Sequence, residues 1–184
     1  PFCGSCAVTI HTRHHIRTCS DINKALITMY KSLQNGWIPP TNIPKEEYLD
    51  IKQRMNLDDP LTAFAAFGCS FGGKWFGGYA KGDGGNYAEL ASKKLLRDLP
   101  NIMSVNFIVC NYMDFINIED HIIYADPPYQ GTLGYTKTDK FNHNCFWDIV
   151  RHWAKTNIVY VSEYNAPEDF EIVDAALSIL KKKL

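Results

Sequence analysis

Apolar residues recur along the chain at two periods, and the change from one to the other marks out strands and helices. The run Ile16 to Ser20 is short and β-prone. After it, Asp21 stands where a helix N-cap is expected. Ile22, Ala25, Leu26, Met29, Tyr30 and Leu33 then repeat at helical spacing as far as Asn35-Gly36, which predicts an amphipathic helix. Trp37-Ile38-Pro39-Pro40 breaks the pattern. Short helices are predicted at about 45–55 and 60–67, the second with Asp59 as cap and Pro60 in its first turn. A longer helix is expected from about Asn86 to Leu99, ended by Pro100, and β-rich runs follow at Val105 to Cys110 and Ile122 to Ala125. Further on, the span from Cys145 to Lys155 sets Phe146, Ile149, Val150 and Trp153 on one helical face. Ile158 to Val161 reads as a fully buried strand, and Lys181 to Lys183 as a solvated terminus.

Strands that alternate with helices predict an α/β fold, a parallel sheet with helices on its faces, and such sheets bind ligands beyond the carboxyl ends of their strands. Gly4, Asp21, Asn111, Asp126 and Glu163 each fall at or just after a predicted strand end. The region from Gly68 to Gly85 is different: it holds eight of the twelve glycines, interleaved with Phe71, Lys74, Trp75, Phe76, Tyr79 and Lys81, and reads as a loop. Cations, aromatic rings and flexible backbone together suit phosphate contact and insertion beside a displaced base. The same rings could equally form the small core of a lobe.

Composition narrows this picture. A chain of 184 residues with 46% hydrophobic and 13% aromatic content can bury a core, as one domain with an inserted lobe. No apolar run approaches the roughly 20 residues of a membrane helix, and no export leader is visible, so a soluble cytoplasmic protein is expected. The net charge of -1 gives no overall attraction to phosphate, so any nucleic-acid contact must come from a local patch. The six cysteines are expected as free thiols. Cys3 and Cys6 with His11 and His14 have the ligand types of a zinc site, but the four-residue gap between the pairs is too short for a finger loop, and no metal is expected. His11 to His15 read instead as a polar link between a helix and the strand at Ile16.

The strongest chemical signal is Asp126-Pro127-Pro128-Tyr129, at the end of an apolar strand. Prolines lack N–H donors and fix φ, so this backbone presents carbonyl acceptors. If Asp126 and the Pro127 carbonyl both accept from an exocyclic amine, the nitrogen lone pair is aimed toward a methyl donor, while Tyr129 stacks on the base. Such catalysis is positioning and electrostatics, without a metal or covalent intermediate.

Taken in order, Pro1-Phe2-Cys3-Gly4-Ser5-Cys6, Ser20-Asp21-Ile22-Asn23, the glycine-aromatic segment, Asp126 to Tyr129 and Ser162-Glu163-Tyr164 resemble the Dam-type DNA adenine N6-methyltransferases, bacteriophage members above all. The resemblance covers nearly the whole chain. It implies a Rossmann-like methyltransferase sheet with an inserted, mainly helical target-recognition lobe, the catalytic domain being 1–36 with 100–184 and the lobe 37–99. It also implies S-adenosyl-L-methionine as donor and double-stranded DNA with a flipped adenine as acceptor, in a monomeric enzyme of the kind found in restriction-modification. Carried over by position, Phe2, Cys3, Gly4 and Ser5 form the cofactor's glycine loop, with Cys6 where many relatives have a second glycine. Asp21, with Ile22, meets the cofactor's ribose hydroxyls or adenosine edge. Asn111, with Tyr112, takes the place of an acid that accepts from the cofactor's adenine amine. Asp126 to Tyr129 are the catalytic residues, Asp126 also meeting the cofactor. The composition of the glycine-aromatic segment, rather than the resemblance, marks Lys74, Trp75, Phe76, Tyr79 and Lys81 as the expected DNA contacts. The first strand and the segment that meets the cofactor's methionine end are expected before Pro1. Methylation of RNA or of a protein amide, and DNA binding without catalysis, are the competing readings.

Overall fold

The computed structural model describes residues 1–12, 16–80, 86–131, 141–174 and 179–182. His14, His15, Lys81, Gly85 and Lys183, named above, lie outside the described residues. The chain forms two compact units, Gly4–Val109 on one hand and Pro1–Cys3 with Cys110–Leu184 on the other. Both mix helices with small sheets that contain parallel strand pairs, an α/β architecture. No helix among the described residues is long and apolar enough to cross a membrane.

In the unit Gly4–Val109, α1 (Ala7–His11) precedes β1 (Thr18–Asp21), so His11 belongs to a helix rather than to the link after it. β1 pairs in parallel with β2 (Asn106–Val109), with Asp21 opposite Val109. That pairing keeps the backbone extended through Asp21, so α2 (Lys24–Gln34) starts two residues later than expected and is capped by Asn23, whose side chain accepts from Leu26 N–H. Ile22 is correspondingly off the helical stripe and exposed, while Ile27 joins Ala25, Leu26, Met29, Tyr30 and Leu33 in the core. Tyr30 stacks on Phe107 of β2 with centroids 4.9 Å apart. α3 (Lys45–Arg54) and α4 (Pro60–Ala63) follow, the latter capped by Asp59 as expected. α4 runs on not as α-helix but as a wider π turn, Phe64–Gly68, whose Phe64, Ala65 and Ala66 are buried. Gly68 of this turn lies against α5 (Tyr87–Asp98): a Cβ at Gly68 would stand 2.9 Å from the Ala91 Cβ. α5 ends in a 3-10 turn, Leu99–Asn101, that contains Pro100.

In the second unit, β3 (Ile122–Ala125), α6 (His143–Trp153), β4 (Ile158–Ser162), β5 (Phe170–Asp174) and β6 (Ile179–Lys182) give a four-stranded sheet ordered β3-β4-β6-β5. β3 and β4 are parallel, with Ala125 opposite Val161. β6 runs antiparallel to both of its neighbours. Lys181 and Lys182 are strand residues rather than a solvated tail, because the backbone of β6 pairs with β4 and β5 on its two edges, whatever its side-chain charge. β4 is not buried throughout, since Ile158 at its start is exposed. The core is built from Ile123, Ala125, Phe146, Val150, Trp153, Val159 and Val161, and Phe2 packs against it. None of the six cysteines is in a disulfide among the described residues, and Cys6, Cys19 and Cys69 are buried.

Candidate active site

The carboxyl edge of the β3–β4 pair gathers the residues with the most chemistry. β3 stops at the fully buried Ala125, because the next ladder positions are Asp126 and two prolines without N–H donors. Since Ala125 sits opposite Val161, Ser162 at the end of β4 and Glu163 just after it lie at the same edge. The Tyr129 hydroxyl shares a hydrogen bond of 2.5 Å with Ser162 Oγ. Both hydroxyls also lower the cost of ionising the nearby Asp126 carboxyl, which can only accept when charged. Asp126 keeps an exposed face, yet the protein around its carboxyl removes enough hydration to hold its pKa above the ordinary aspartate value, with the Tyr129 and Ser162 bonds pulling the other way. Burial likewise raises the phenols of Tyr129 and Tyr124. The Tyr129 ring meets Tyr164 edge to face at 4.7 Å, and Tyr164 is exposed. Glu163, 2% exposed, accepts from two backbone amides, Gln130 N–H at 3.1 Å and Tyr164 N–H at 2.8 Å.

The glycine loop is organised by a second carboxylate. Asp21 Oδ1 accepts from Asn23 N–H at 2.9 Å and Oδ2 from Gly4 N–H at 3.4 Å. The Gly4 carbonyl accepts from the Tyr30 hydroxyl at 2.8 Å, so the same residue is tied through both backbone groups. Gly4 has φ +45, a conformation that favours glycine, and a Cβ built there meets nothing within 4 Å. Ser5 and Ile22 are exposed and Cys3 is half-buried. Phe2 and Tyr112 belong to the other unit, where their rings lie 5.3 Å apart in an aromatic cluster with Phe141 and Phe146 and burial pushes the Tyr112 phenol up to about 12. Asn111 is a reciprocal cap, its side-chain oxygen accepting from Met113 N–H at 3.0 Å while Asp114 accepts from Asn111 N–H at 2.9 Å.

In the glycine-aromatic segment, Phe71 N–H donates to the Gly78 carbonyl and Ser70 bridges to Tyr79, which folds the stretch into a short hairpin. Gly72 and Gly73 at φ +64 make its turn possible. Phe76 is buried and meets the Tyr48 ring at 5.4 Å, and Tyr79 meets it at the same distance while donating to the Ile43 carbonyl. Trp75 rests on Phe67 at 5.2 Å. These rings fill a local core, whereas Lys74 and Phe71 stand exposed beside them.

In the sequence, Ser162 and Glu163 carry no evident role and Tyr30 reads as a core residue. Their adjacency to Asp126 and Gly4 arises from strand pairing and helix packing. The available signal was that a polar Ser-Glu pair ends a strand neighbouring the one that ends at Asp126.

No family model matches the sequence. The chain is similar to the retron Ec67 DNA adenine methylase of Escherichia coli, with 25% identity over 197 aligned positions that cover 94% of this chain and 66% of that protein. It thus spans a little under two thirds of the relative's length.

Proposed function

We propose that this chain acts in the methylation of DNA, transferring a methyl group from S-adenosyl-L-methionine to the N6 amine of adenine. The observation that carries the reading is Asp126 at the carboxyl end of β3, beside the hydrogen-bonded hydroxyls of Tyr129 and Ser162 and followed by two prolines. The similarity to a protein named DNA adenine methylase agrees with it.

The residues around Gly4 fit the donor. Open space where a Cβ would stand lets a ligand approach the Gly4 backbone, and the Asp21 carboxylate supplies the acceptor that ribose hydroxyls require. When bound, S-adenosyl-L-methionine supplies an electrophilic methyl group on a sulfonium. The protein's share of the chemistry is to hold the amine. Asp126 and the Pro127 carbonyl accept its two N–H groups, which turns the nitrogen lone pair outward, and the ionised carboxylate stabilises the positive charge that grows on nitrogen. Tyr129 offers its ring to the base, extruded from the duplex at a cost of a few kcal/mol. In this reading residues 1–36 and 100–184 form a Rossmann-like catalytic domain and 37–99 the target-recognition lobe, in which Lys74 and Lys81 contact phosphate. Trp75, Phe76 and Tyr79 support the hairpin that presents Lys74.

The test is tritium transfer from labelled S-adenosyl-L-methionine to adenine in DNA. Asp126→Ala is expected to lower the rate on the order of 10²-fold or more. Transfer at an unchanged rate in that variant would sink the assignment.

A further inference from the structure

We propose that Glu163 is a positioning residue, a buried carboxylate that clamps the loop carrying Asp126 to Tyr129 by accepting the backbone N–H groups of Gln130 and Tyr164. The inference rests on the function proposed above, and it assigns the geometry of that site to a residue that does not touch the substrate.

The tetrapeptide lacks backbone donors at its two central positions. Pro127 and Pro128 have no N–H, so this loop cannot be tied down by backbone donors within its own prolines. A loop whose work is to present acceptors still needs an anchor, and the anchoring donor comes from Gln130, immediately after Tyr129. The acceptor is Oε2 of Glu163 at 3.1 Å, while Oε1 takes Tyr164 N–H at 2.8 Å. One side chain therefore joins the exit of the catalytic loop to the exit of β4. A carboxylate that is only 2% exposed is costly to bury unless its oxygens are engaged, and here each oxygen has an amide donor. Ser162, one residue earlier, bonds the Tyr129 hydroxyl. The loop is thus held at its ring by Ser162 and at its backbone by Glu163, with Gly131 at φ +81 turning the chain just beyond. A catalytic carboxylate that drifts by about 1 Å loses on the order of 10²-fold in rate, so the clamp bears on turnover rather than on affinity.

Two variants separate this from a general structural role. Glu163→Gln keeps the shape but offers only one acceptor atom. Glu163→Asp keeps the charge but is one methylene short of Gln130. Amide hydrogen exchange read by NMR on the labelled protein is expected to show protection lost at Gln130 in both variants, with Tyr164 still protected in Glu163→Asp. In Glu163→Gln, kcat for methyl transfer is expected to fall on the order of 10²-fold, with KM for cofactor and DNA within about threefold of wild type. Wild-type protection at Gln130, or wild-type kcat, in either folded variant overturns the clamp. So does a loss of kcat with protection intact, and so does failure of both variants to fold, since Glu163 would then be a core requirement. If the wild-type protein transfers no methyl group to DNA, it is the proposed function that fails. The clamp is then decided by the amide exchange alone, where unchanged protection at Gln130 in Glu163→Gln rejects it.

Discussion

Asp126 has two demands on it that pull in opposite directions. Its charge is wanted for the positive nitrogen of the reaction, yet the surrounding protein disfavours that charge and raises its pKa above the ordinary value of about 3.9. In the interval between the ordinary and the raised value the unfolded chain has lost this proton while the folded protein keeps it. The stability linked to the group is therefore full below the unfolded pKa and is lost as pH rises through the folded one. At neutral pH an ionised Asp126 lowers stability, and Asp126→Asn is expected to melt at a higher temperature than wild type at pH 7, with the difference shrinking toward pH 3. Thermal melts at the two pH values check this. Activity should move the other way, with kcat/KM rising with pH along a limb above the ordinary aspartate range. A limb at or below that range would count against Asp126 as the group that must be ionised.

At the level of elements, the π turn Phe64–Gly68 is where backbone geometry and packing are most tightly linked. Ala65 and Ala66 carbonyls accept from Cys69 and Phe76 N–H groups, which connects the turn to the hairpin after it. Gly68 lets α5 approach, and with a Cβ 2.9 Å from that of Ala91 neither side could yield without a backbone shift. Gly68→Ala is expected to cost about 1–3 kcal/mol by overpacking, read as a lower Tm, and Ala91→Gly, which alone costs about 1 kcal/mol as a glycine inside a helix, should cost less in the Gly68→Ala background than in wild type. A melt of Gly68→Ala equal to wild type would show that the helices part freely. This turn also marks the limit of what was legible along the chain. β3 could be read at Ile122–Ala125 because Asp126-Pro127 ends it locally, and the Asp59-Pro60 cap could be read for the same reason. The start of α2 could not, since pairing of Asp21 with Val109, far away in sequence, holds the strand open for longer. Nor could β6, whose lysines hid a backbone shared by two neighbours. In the site, Asp126 and Tyr129 were legible as a motif. The Ser162 and Glu163 contacts were not, because they span 33 residues and exist only once β3 and β4 lie side by side.

For the whole molecule, charge sets the terms on which DNA can be bound. With 19 Lys and Arg against 20 Asp and Glu, long-range attraction is close to nil, and binding must come from a few well-placed cations. Several cations are already engaged with acids, among them Lys24 with Asp58, Lys93 with Glu89, and Arg151 with both Asp148 and Asp169. Arg17 is taken up by the carbonyls of Thr9 and Asn101. Lys74 differs: it is exposed on a hairpin whose neighbouring rings are fixed by Tyr48, and it makes no ion pair among the described residues. A cation on a braced hairpin loses less freedom on meeting a phosphate than one on a free chain. Each phosphate neutralised contributes about 0.9 to the slope of log K against log salt concentration. Lys74→Ala is therefore expected to weaken DNA binding evenly across sequences and to reduce that slope by about 1, measured by fluorescence titration over a salt series. An unchanged slope in this variant removes Lys74 from the phosphate contacts and leaves the hairpin as a packing element of its lobe.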